Sequence, residues 1–149
     1  MNRSRFLMLA ALIAVAVGGV ALVAPDLMLS SKGIEGNAAA RVWMQELRAA
    51  LLAAGATLWL VRNHDDSPTL QALLWGNAVL QLGLVPIEPI ALAREVIPNT
   101  AGVVPNTVVH VVLAIGFIAY ARAIRTRARA LQPIDKESHG NLSITSRHH

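Results

Sequence analysis

Three side chains in this sequence can transfer protons and lie in or beside apolar segments: Glu46, Glu88 and His110. A carboxylate and an imidazole brought within hydrogen-bond reach can serve as acid and base. Four others could orient a bound molecule through charge or hydrogen bonds: Arg41, Arg48, Asn77 and Gln81. Arg41, Gln45 and Arg48 recur at i, i+4 and i+7 and share a helical face, with Glu46 pointing elsewhere. Leu70, Leu74, Asn77, Gln81, Leu84 and Glu88 follow a 4-3-4-3-4 spacing. Asn106, His110, Leu113, Phe117 and Tyr120 form a third stripe.

Each set also has a plain structural reading. The arginines can stand at a membrane interface with their stems along apolar surface. Asn77, Gln81 and His110 can join helices by hydrogen bonds. The sharper reading draws Glu46 and Arg48 into a bundle and makes Glu46, Glu88 and His110 catalytic. Arg41, Arg48, Asn77 and Gln81 then hold a ligand.

Recognisable soluble-enzyme chemistry is absent from the sequence. It contains no P-loop, no GxGxxG, no H-E-x-x-H and no GxSxG elbow. It has no cysteine, hence no disulfide and no thiolate metal site. No metal or cofactor is expected. Bis-histidine haem ligation needs a second intramembrane histidine, and His64 belongs to the opposite membrane face. His148 and His149 are given no metal role.

The elements that must position these groups follow from composition. Of 149 residues, 54% are hydrophobic and 15% charged, against roughly 25% charged in soluble domains. The apolar residues fall in blocks, and a membrane-spanning helix needs about 20 of them. Four stretches qualify, at 6–24, 38–61, 70–87 and 106–121. The fold class is therefore all-α, a four-helix transmembrane bundle over 1–130. The apolar run of the first span exceeds the roughly 7–15 residues of a signal-peptide core, so it reads as a retained anchor. Pro25-Asp26 ends it, and residues up to Asn37 form a loop. Residues 63–68 make a tight polar turn that packs the second and third spans antiparallel. Pro86, Pro89 and Pro98 break up the third loop, and Pro105 falls just before the fourth span.

Arg3, Arg5, Arg62, Arg122, Arg125, Arg127 and Arg129 flank one set of span ends. The positive-inside rule then puts both termini in the cytoplasm of a multi-pass cell-membrane protein. The net charge of +4 reflects this flanking rather than nucleic-acid binding. Residues 131–149 read as a polar, disordered cytoplasmic tail. With this topology Arg41, Glu46, Arg48, Gln81, Glu88 and His110 all lie toward the extracytoplasmic side, and the cytoplasmic half is nearly pure apolar.

Gly18-Gly19, Ala24-Pro25, the run Gln45-Glu46-Leu47-Arg48-Ala49-Ala50, Gly55 and the short turn before the third span carry a resemblance. The chain resembles the small four-helix membrane proteins of the DoxX-like group, in particular its short DUF4345-type members. The resemblance covers most of 6–122. It implies the four-helix fold and supplies no reaction.

Two functions from different classes remain. One is an accessory or scaffold subunit of a larger membrane complex, whose partners are the lipid bilayer and either another membrane protein or further copies of itself. The other is a membrane enzyme or a binder of a lipophilic small molecule, a lipid or quinone, at the extracytoplasmic end of spans two to four. The second requires His110 and either Glu46 or Glu88 to line a common cavity.

Overall fold

The computed structural model describes residues 1–130, and the expected disordered tail lies outside them. Six helices make up the described residues: α1 (Arg3–Val23), α2 (Pro25–Ser31), α3 (Ala38–Val61), α4 (Pro68–Leu84), α5 (Ile87–Ala93) and α6 (Thr100–Ala130). No strand occurs among them.

Local chemistry sets the helix starts. The Asn2 side chain accepts from the Arg5 N–H, Asn37 from Ala40 and Ser67 from Leu70, each satisfying a backbone donor that a first helical turn leaves free. Pro25 and Pro68 occupy first-turn positions, where the missing N–H is harmless.

Two expected loops are partly helical, since α2 lies in the first and α5 in the third. The last long helix also starts earlier than 106. Asn99 Oδ1 accepts from the Ala101 N–H at 3.0 Å, so the helix is capped before Pro105, which falls inside it. Pro105, the sixth residue of α6, lies past its first turn and removes one ladder bond, the one to the Ala101 carbonyl.

Three stretches are long and apolar enough to cross a membrane: Arg3–Val23, Pro68–Ala93 and Thr100–Ile124. The helix α3 has 24 residues, enough length, but Arg41, Gln45, Glu46 and Arg48 make its first half too polar to join them.

The helices pack as two long pairs, α1 with α3 and α4 with α6. The pairs are tied together most firmly at the end holding the N-terminus and the 62–67 turn, termed the base. There Phe6 packs edge-on against Phe117, with ring centroids 5.0 Å apart, and tilts against Tyr120 at 5.1 Å. Leu7, Leu58, Leu70, Leu74 and Leu113 complete this core. Polar ties rim it: Arg3 pairs with Asp66 and donates to the His64 carbonyl, and Ser4 donates to Asn63 Oδ1 at 2.7 Å. Tyr120 Oη donates to the Met1 carbonyl at 2.5 Å, and Gln71 Nε2 to the Ala121 carbonyl at 2.9 Å.

Missing side chains allow the close approaches. A Cβ at Gly55 would sit 2.8 Å from Val15 Cγ2 and 3.1 Å from the Ala11 carbonyl oxygen, so α3 lies almost on the α1 backbone. A Cβ at Gly116 would run into the Phe6 ring, which is itself 3% exposed and wedged between aromatic neighbours. Gly76 faces open space. Gly116→Ala should therefore destabilise the fold by about 1–3 kcal/mol through overpacking. Gly76→Ala should be neutral or stabilise it by up to about 1 kcal/mol through helix propensity. Thermal unfolding in detergent checks both; equal effects would contradict the placement of Phe6.

Candidate functional site

The chemistry-bearing residues gather at the other end, the crown, formed by the end of α1, α2, α5 and the start of α6. They fall into three separate sets of contacts.

The first joins α4 to α6. Asn106 Nδ2–H donates to His110 Nε2 at 3.3 Å, and His110 Nδ1–H donates to Gln81 Oε1 at 2.6 Å. With a donor on one side and an acceptor on the other, the ring fits as the tautomer protonated on Nδ1 alone. Asn106 stands one turn before His110 on α6, and Gln81 comes from the facing helix, so the spacing of both stripes produces this chain. Asn77 does not take part. Its Nδ2 donates to the Leu73 carbonyl of its own helix at 3.0 Å.

The second joins the halves of the chain. Lys32, which caps α2, pairs with Glu88 on α5. Their side chains are 22% and 14% exposed. Burial lowers the Lys32 pKa from its ordinary value. Asn99 Nδ2 reinforces the junction by donating to the Ser31 carbonyl at 2.8 Å. A Cβ at Gly102 would meet that carbonyl oxygen at 2.7 Å, so α6 can begin here only as glycine.

The third joins α1 to α3. Arg48 is 1% exposed and donates from Nη1 to the Leu22 carbonyl at 3.3 Å. The last carbonyls of α1 have no partner within the helix and carry the negative end of its dipole. No basic residue of α1 itself lies in that turn. Arg48 supplies the cation from α3. Arg41, nearer the surface, pairs with Asp26 at 3.0 Å.

The acid–base constellation does not assemble. Glu46 lies exposed on α3, away from His110, because α3 buries only the face bearing Arg48, Gly55 and Leu58. Glu88 is engaged by Lys32, and His110 by Gln81 and Asn106. The clearest groove lies elsewhere, between α1 and α3, and is lined by apolar side chains such as Leu12, Val15 and Trp59. No group of three or more metal-ligating side chains occurs among the described residues.

Sequence reasoning passed over Lys32, Asn99 and Thr107. Lys32 caps α2 and Glu88 lies on α5, with α3 and α4 between them in the chain, so no periodicity connects them. Only their opposite charges on facing loops could have signalled the pair.

These features define an all-helical chain with three helices long and apolar enough to cross a membrane, the class of an integral membrane protein. No family model, curated protein or solved structure matches it.

Removing one partner of an enclosed ion pair strands the other, whereas replacing both with apolar groups does not. Lys32→Leu should thus destabilise the fold by about 2 kcal/mol, below the ~3–5 kcal/mol of a fully buried pair because both groups keep some solvent contact. The double variant with Glu88→Leu should recover most of the loss. Additive losses in a double-mutant cycle would show that the two side chains do not interact.

Proposed function

We propose that the chain is a four-span protein of the cell membrane, with both termini cytoplasmic, serving as an accessory or scaffold subunit of a larger membrane complex. The observation that carries this reading is that the crown's polar groups are turned on one another. Gln81, His110 and Asn106 join α4 to α6, Lys32 and Glu88 join the two halves, and Arg48 holds the end of α1. Polar groups arranged this way fix helix positions and present a rigid surface.

Two features support α3 as the fourth span. Its most costly charge, Arg48, is buried on α1, and Arg41 pairs with Asp26 near the helix start. The remaining run from Ala49 to Val61 carries no charge. Arg3, Arg5, Arg62 and Arg122 lie toward the base and support it as the cytoplasmic end.

A second reading, a site for a lipid or quinone, is favoured by one observation. Glu88 Oε2, Thr107 Oγ1 and the Nε and Nη2 atoms of Arg48 are enclosed without a hydrogen-bond partner. An amphiphile with a polar head could engage Glu88 once the Lys32–Glu88 contact opened.

Purification in mild detergent from native membranes separates the two. A scaffold subunit should co-elute with a different membrane protein at fixed stoichiometry. Elution of this chain alone, as monomer or as self-oligomer, would overturn the accessory role. A stoichiometric extractable lipid or quinone lost on Glu88→Leu would establish the second reading.

A further inference from the structure

One face of α3 is left uncovered by the fold and is not random in composition. Val42, Glu46, Ala49, Ala53, Ala56 and Leu60 succeed one another at intervals of 4-3-4-3-4, and all six are exposed. This is the spacing of a helix that packs side by side with another at a shallow left-handed angle. Three successive alanines allow the close approach on which helix association in lipid depends. One end of the stripe holds a carboxylate, Glu46, with Gln45 beside it, also exposed.

We propose that this stripe is a homodimer interface, with α3 packed parallel against α3 of a second copy. The proposal rests on the four-span reading, since only a membrane-inserted α3 has its Glu46 facing hydrocarbon. Copies inserted with the same topology are related by a two-fold axis along the membrane normal, so equal residue numbers meet at equal depth. In parallel knobs-into-holes packing, Glu46 of one copy enters a hole that Gln45 of the other helps to line. The Gln45 amide then donates to the Glu46 carboxylate across the interface, twice by symmetry. Acyl chains offer no donor to that carboxylate; a second copy carries one at the required depth. Below, the alanines bring the backbones together. The apolar groove of about 410 Å³ beside Ala56 and Leu60 receives the neighbour's Leu60.

The absence of native cysteine makes the test direct. Single-cysteine variants Ala49→Cys, Ala53→Cys and Ala56→Cys on the stripe are compared with Trp43→Cys and Leu47→Cys, exposed positions off it. The full-length chain is oxidised in membranes and disulfide-linked dimer is quantified. Dimer yield several-fold higher at 49, 53 and 56 than at 43 and 47 is expected. Ala53→Phe, at an exposed position, should abolish the dimer while the monomer keeps its helical content. Equal or absent yields at all five positions, with the stripe cysteines protected from a membrane-impermeant maleimide, would overturn the dimer and leave α3 as a span. Stripe cysteines that react with the impermeant reagent would overturn both.

Discussion

Arg48 carries a full charge into a helix–helix contact and is 1% exposed there. A charge in that position must be met by the protein itself, because the packed helices exclude water from it. Its Nη1 reaches the Leu22 carbonyl, one of the groups α1 leaves unpaired at its end. Two groups that are each expensive to bury therefore offset one another. This contact sets how deep α3 sits against α1. That depth in turn places Gly55 against the α1 backbone, Arg41 beside Asp26, and the uncovered face of α3 opposite.

The two ends of the molecule solve packing differently. At the base, aromatic and leucine side chains interlock around Phe6, and dispersion between well-fitted surfaces holds the helices. At the crown, small and polar residues meet, and directed bonds do the holding: His110 to Gln81, Lys32 to Glu88, Asn99 to Ser31. Lipid removes the hydrophobic drive between helices, so packing and hydrogen bonds must supply association at both ends. The crown's bonds leave atoms of Glu88 and Thr107 unpaired.

Much of this was legible in the sequence, and the limits are physical. The helix at 38–61 and the one expected at 70–87, which ends at Leu84, follow from apolar length and the polar turn at 63–68. The Gln81–His110 contact follows from two stripes of matching period. The direction of Asn77 did not, because an asparagine in a helix can bond its own backbone as readily as a neighbour. Pro105 reads as a boundary, yet Asn99 caps the helix six residues earlier and the helix runs through the proline. Glu46 fell on the exposed face because α3 contacts essentially one partner helix. Which face of a helix is covered is a property of the other helices. The Lys32–Glu88 pair was hidden for the same reason, as it joins two loops that only the assembled bundle brings together.

The central proposal is that α3 crosses the membrane, with Arg48 buried against α1 and Arg41 paired with Asp26. Single cysteines at Glu35, before α3, and at Asp65, after it, report the side of the membrane on which each lies; both positions are exposed. With a membrane-impermeant maleimide and intact cells, Glu35→Cys should label at once and Asp65→Cys only after permeabilisation. Labelling of both from the same side would contradict the account.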